Sequence, residues 1–189
     1  MGIDGSDAEM IEASWSDPSR FGDVFRRHHG AVYGYVVRTL GYPEGPDVAA
    51  KVFVEAFESR HRYDVSHPSA RPWLLGIAAH LVADHYRRRE RGRRATLRLG
   101  NPTTVPDFAD EAARRVDADA AHGVIRGALG QLRREEAEVV SLYALAGLSY
   151  GEIAEATGVA VGTVKSRLSR ARGRLRNLLG DFDENSDET

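Results

Sequence analysis

The sequence predicts an all-α protein: two small helical domains joined by a flexible linker, the C-terminal one a helix-turn-helix. Three observations predict it. Apolar residues recur at three- and four-residue spacing along most of the chain, with no strand-like alternation of useful length. The periodicity weakens over residues 96–112, where Gly100, Pro102 and Pro106 fall together. Near the C-terminus a capping pair, a glycine and a second amphipathic run follow one another at the spacing of two helices around a tight turn. The chain has 189 residues, 42% hydrophobic and 29% charged, a globular composition sufficient for two small cores.

Asp17-Pro18 reads as a cap followed by a first-turn proline. Phe21, Val24, Phe25, Val32, Tyr35 and Val36 then recur at helical spacing until Gly41-Tyr42-Pro43 stops the run. Asp47 is the expected cap of the next helix, whose core face is Val48, Val52, Phe53 and Ala56. A loop at His67-Pro68-Ser69 precedes a third helix from about Pro72 into a run of arginines. Periodicity resumes near Val116, with Val124, Leu129, Leu132, Val139, Val140 and Leu142 as apolar anchors. The expected division is an N-terminal domain over 1–95, a linker over 96–114, a C-terminal domain over 115–180 and an acidic tail over 181–189.

The formal net charge of −2 hides an asymmetry. Residues 1–24 hold six acids against Arg20 alone, and residues 181–189 hold five acids and no base, leaving 25 bases against 17 acids between them. The bases cluster twice: Arg87, Arg88, Arg89, Arg91, Arg93, Arg94 and Arg98, then Lys165, Arg167, Arg170, Arg172, Arg174 and Arg176. Such clusters neutralise phosphates and release counterions whatever the total charge. The acidic ends either fold over these basic helices or simply solubilise the chain.

In the C-terminal half, Ser149 and Glu152 have capping-box spacing, and Gly158 supplies the left-handed residue that ends a short helix. A second helix follows from near Val161 to about Leu179. At 100° per residue Val164, Leu168, Ala171 and Leu175 form a narrow stripe expected to pack on the Ile153 helix. Ser166, Ser169, Arg170 and Gly173 lie opposite, with Lys165, Arg172 and Arg176 on one flank and Arg167 and Arg174 on the other. No acid occurs from Ala156 to Gly180. An apolar stripe with basic flanks suits a helix lodged between two phosphate backbones. In the N-terminal half, the helix from Trp73 is apolar around most of its circumference and must be largely buried. One stripe differs: Gly76, Ala79, His80, Ala83, Asp84 and Arg87 are small or polar and let another surface approach closely. The helix ends in His85-Tyr86-Arg87-Arg88-Arg89, a basic end able to hold a DNA backbone.

Several classes are disfavoured. There is no cysteine, hence no disulfide or thiolate chemistry. No catalytic arrangement or glycine-rich phosphate loop is legible. His80 and Asp84 have the spacing of a metal pair without a third ligand. The near-apolar run Trp73–Ala83 is shorter than the roughly 20 residues of a membrane span. The N-terminus lacks a signal-peptide pattern, so a cytoplasmic protein is expected.

Taken together these segments resemble the extracytoplasmic-function (ECF) sigma factors, the compact members of the bacterial sigma-70 family. The resemblance rests on Leu129-x-x-Leu132, Val139-Val140-x-Leu142, Leu148-Ser149-x-x-Glu152-Ile153-Ala154 and Gly162-Thr163-Val164-Lys165-Ser166-Arg167-Leu168-x-Arg170-Ala171-Arg172. Upstream it rests on Asp47 with Val52-Phe53-Val54-x-Ala56-Phe57, Trp73-Leu74-x-x-Ile77-Ala78, and Asp84 with the arginine run. It implies a factor that binds core RNA polymerase, at the clamp of the largest subunit and the flap of the second largest, and makes it promoter-specific. Carried over by position, Thr163, Lys165, Ser166, Arg167, Ser169, Arg170 and Arg172 face the −35 duplex. His80, Asp84, Arg87, Arg88 and Arg89 face the −10 strand, and Asp47, Lys51 and Glu55 face the polymerase. An anti-sigma partner, which can hold such a factor at the membrane, is implied; a cofactor, a metal and a catalytic residue are not. Two positions depart from the family's common pattern. Ala50 and Lys51 stand where a polar-acidic pair is common, and Ala79-His80 where Arg-Asn is common. A helix-turn-helix regulator acting on duplex DNA alone is the alternative, and it leaves the Trp73–Arg89 pattern without a purpose.

Overall fold

The computed structural model describes residues 5–98 and 127–184. The described residues form α1 (Asp7–Ala13), α2 (Phe21–Leu40), α3 (Glu44–Ser59), α4 (Arg71–Arg98), α5 (Arg134–Ala144), α6 (Tyr150–Thr157) and α7 (Val161–Glu184). No strand occurs among the described residues. No helix among them is long and apolar enough to cross a membrane.

Helix α2 begins after a short 3-10 turn whose start Asp17 caps by accepting from the Ser19 N–H at 3.1 Å. It ends at Gly41, where φ is 73°. The cap expected at Asp47 does not form. Helix α3 starts at Glu44, three residues earlier, with Pro43 at the cap position and no side-chain cap. Pro46 fits the first turn because that turn's N–H groups have no intrahelical partner. Asp47 therefore lies inside the helix and points to solvent, while Val48, Val52, Phe53 and Ala56 are buried as their spacing predicts. Helix α4 runs to Arg98, so its last turn enters the stretch assigned to the linker; the rest of that stretch, and Val116 and Val124, lie outside the described residues. Helix α7 continues to Glu184 and so takes up the first residues of the expected acidic tail.

Helix α1 is capped reciprocally. The Ser6 Oγ accepts from the Glu9 N–H at 3.2 Å, and Glu9 Oε2 accepts from the Ser6 N–H at 2.8 Å. Its buried Asp7 accepts from Arg27 Nη1 (2.7 Å) and the Ala70 N–H (2.7 Å), and its other contact is His28 Nε2 (2.6 Å). Ala70 immediately precedes α4, and its carbonyl accepts the Leu74 N–H at 2.9 Å. One buried carboxylate thus ties α1, α2 and the start of α4 together. Burial pushes the Asp7 carboxyl up, but the Ala70 N–H, Arg27 and His28 outweigh it and hold its pKa below the usual range.

The two halves do not stand apart. One continuous set of buried side chains runs from Ile11, Val24 and Val52 through Leu74, Leu75 and Ala78 to Leu142, Ile153 and Val164. Helix α4 lies at its centre, against α2 and α3 on one side and α5 and α6 on the other.

Candidate nucleic-acid interface

The C-terminal unit is built as its sequence predicts. Ser149 Oγ accepts from the Glu152 N–H at 3.3 Å, while Glu152 Oε2 accepts from the Ser149 N–H at 2.8 Å. The Ser149 backbone and hydroxyl hold the Glu152 carboxyl below the ordinary range. Helix α6 ends at Gly158, at φ 66° and ψ 25°, the left-handed region where a side chain is strained. Two residues on, α7 begins. Val164, Leu168 and Ala171 are buried and Leu175 packs at the edge of the same core, with Ile153 fully buried against them.

The opposite side of α7 is open. Lys165, Ser166, Ser169, Arg170 and Arg172 are exposed, and Thr163 and Arg167 are half-buried. Arg170 Nε donates to the Ser166 carbonyl at 3.2 Å, so its guanidinium rests along its own helix. Arg172 lies 5.8 Å from the Tyr143 ring centroid, a cation–π contact that keeps it on the rim. Arg174 is used differently from its neighbours. Its Nη1 pairs at 2.8 Å with Glu136, a carboxylate only 2% exposed that also accepts from the Arg133 N–H at 3.2 Å. That guanidinium clamps α7 to the start of α5.

The stripe on α4 is placed less simply. Ala79 and Ala83 are buried, and Gly76, His80 and Asp84 are half-buried. What approaches them is α5 and α6. Arg134 hydrogen-bonds His80, whose Nδ1 is also 3.5 Å from Glu138 Oε1. Arg134 Nε donates to the same Glu138 oxygen at 2.8 Å. Burial pushes the Asp84 carboxyl up, but Arg87 at 2.6 Å, with the nearby His80 and Arg134, holds its pKa below the usual range. Arg87, Arg88 and Arg89 are exposed beyond this contact, and Arg89 reaches Glu44 at 3.1 Å. His80 Nε2 and Asp84 Oδ2 are 3.8 Å apart. No group of three metal-ligating side chains gathers among the described residues.

On α3, Asp47, Lys51 and Glu55 are all exposed on one face, with Ala50 and Val54 between them. Spacing alone did not reveal Arg134 and Glu138, which meet His80 from 54 and 58 positions away. The only prior signal was the small-residue stripe, which predicted a close approach without saying by what.

A helix-turn-helix with an exposed basic face, joined to a second helical domain with its own basic helix end, has the form of a two-domain DNA-binding factor. Comparison with known proteins refines this. The family described as Sigma-70 region 2 matches residues 24–92, and Sigma-70 region 4 matches residues 122–175. "ECF RNA polymerase sigma factor SigC" of Mycobacterium tuberculosis is 34% identical over 144 residues, covering 76% of this chain and 75% of that protein. "RNA polymerase sigma factor CarQ" of Myxococcus xanthus is 31% identical, covering 86% of this chain and 91% of that one. Among solved structures, CnrH in complex with the cytosolic domain of CnrY matches with a TM-score of 0.61 and 28% identity, over 93% of this chain and 97% of that one. The chain belongs to the ECF sigma factors of the sigma-70 family.

Proposed function

We propose that this protein binds core RNA polymerase and directs it to promoters, reading the −35 element with α7 and holding the −10 strand along α4. The observation that carries this is the α6–α7 unit. Its capping box, left-handed Gly158, buried Val164–Leu168–Ala171 stripe and open Lys165–Arg170 face are all in place within one chain that also carries a region-2 domain. In this reading Lys165, Ser166, Ser169 and Arg170 reach base edges, and Thr163, Arg167 and Arg172 contact phosphates on either side. Asp84 and the Arg87–Arg89 run meet the −10 strand, with His80 beside them. Asp47, Lys51 and Glu55 meet the polymerase. Residues 1–95 and 115–180 form the two working domains, joined by the 96–114 linker.

The protein catalyses no reaction of its own and acts in the cytoplasm. An anti-sigma protein restrains it, a reading supported by the partner-bound state of CnrH. A regulator acting on duplex DNA alone has no use for a region-2 domain. The test is footprinting on a cognate promoter. With core polymerase, protection should cover both elements; without it, at most the upstream one. Protection of one duplex site that core polymerase neither extends nor strengthens would reject the assignment.

A further inference from the structure

Tyr143 is a large aromatic side chain that the core does not take in. It lies near the end of α5 and is 42% exposed, although its neighbours Ser141 and Leu142 are buried. Its ring has two partners at the surface instead. The Tyr150 ring, on the first residue of α6, lies 5.5 Å away between centroids at an interplanar angle of 37°. The Arg172 guanidinium of α7 lies 5.8 Å from the Tyr143 centroid. The stack thus joins α5, α6 and α7. Arg172 also differs from the arginines around it. Arg174 Nη1 is engaged by Glu136 at 2.8 Å, and Arg170 Nε by the Ser166 carbonyl at 3.2 Å. Among the described residues, no carboxylate or carbonyl accepts from Arg172.

A guanidinium offers two different surfaces. Its flat face is weakly hydrated and settles on an aromatic ring, while its N–H donors point outward in the plane. A side chain held by the ring therefore keeps its donors for an acceptor from outside, and a phosphate matches that edge. The ring also removes rotamer freedom that an untethered arginine would lose on binding. Position agrees with this. Arg172 lies seven residues beyond Lys165, about two helical turns, and Arg176 about one turn further on the same flank. All three are exposed. The flank is a basic row beside the reading face, and the stack fixes Arg172 within it. We propose that Tyr143 is a positioning residue for DNA binding: its ring, braced by Tyr150, holds Arg172 with its donors free to take one phosphate beside the upstream element. This rests on the promoter-reading assignment above. Tyr143 touches no base in this arrangement, so its contribution is the same on every sequence.

The test uses holoenzyme assembled from core polymerase and a saturating amount of the full chain. The probe is a duplex carrying a start site mapped by run-off transcription. Tyr143→Leu keeps apolar bulk but removes the ring. It should raise the DNA concentration for half-saturation roughly two- to five-fold. The same ratio should persist when the upstream element is scrambled. Tyr143→Phe, which keeps the ring, should leave the concentration unchanged. In an Arg172→Ala background Tyr143→Leu should add nothing, the non-additivity expected of two side chains acting as one unit. No loss in Tyr143→Leu, an equal loss in Tyr143→Phe, or the same loss with and without Arg172 overturns the positioning role. So does a Tyr143→Leu defect in binding core polymerase instead of DNA, which would put the ring on the enzyme. A holoenzyme that yields no start site on any fragment removes the sigma-factor reading itself, and this proposal with it.

Discussion

Replacing Asp7 by Asn should destabilise the N-terminal domain by about 2 kcal/mol at pH 7. The carboxylate is 3% exposed and meets Arg27, His28 and the Ala70 N–H, each within 2.7 Å. Breaking a buried charge network by removing one partner costs roughly 3–5 kcal/mol. Two features lower that figure here. The Arg27 side chain is 30% exposed and can turn to water, and an Asn oxygen can still accept the Ala70 N–H. For a chain of this size about 2 kcal/mol is a fall of roughly 4–8 °C in Tm. The pH dependence has a fixed sign. The folded pKa of Asp7 is lowered, so its contribution is complete above the unfolded carboxyl value near 4 and is lost as pH falls through the folded value. Urea unfolding followed at 222 nm should therefore show a wild-type-to-Asn gap that is constant from pH 7 to about 5 and narrows below about 4. A gap under about 0.5 kcal/mol at pH 7, or one that widens in acid, would refute the assignment of Asp7 as the charged tie between α1, α2 and α4.

Four further outcomes are expected. Arg170→Ala should cost roughly 1–3 kcal/mol of discrimination at a single position of the upstream element. Arg172→Ala should instead weaken all sequences alike and reduce the salt dependence by about one phosphate contact, which binding isotherms across a salt series distinguish. Ile153→Ala, at a side chain with no exposure, should cost about 2–5 kcal/mol and abolish upstream-element binding by loosening α6 from α7, with the N-terminal domain still folded by thermal melt. Lys51→Glu, on the open face of α3, should change core-polymerase affinity several-fold without changing Tm by more than about 2 °C; equal affinities would remove α3 from the polymerase contact.

The sequence made faces legible and partners illegible. Ser149, Glu152, Gly158 and the Val164–Leu168–Ala171 stripe act within a dozen positions of one another, so spacing alone placed them. Helix α1 went unread although Ser6 and Glu9 have the same capping spacing as Ser149 and Glu152, because a helix of 7 residues is too short for Ala8, Met10 and Ile11 to repeat at helical spacing. Asp47 looked like a cap because it precedes the first apolar pair of α3. Pro43 and Pro46 can instead enter a helix early, and α3 starts at Glu44. The α4 stripe was the instructive case. Its small residues correctly announced a close approach, but whether Gly76 meets DNA or Ala156 depends on packing 80 positions away, which no local periodicity encodes.

The central claim is that this chain confers promoter specificity on core RNA polymerase. Run-off transcription on a genomic fragment library, with purified core enzyme and with or without the protein, tests it most directly. The account predicts new, defined start sites that share motifs near −10 and −35, and that weaken at the upstream motif in Arg170→Ala. A start-site map unchanged by the protein, together with stable duplex binding in the absence of polymerase, would contradict it.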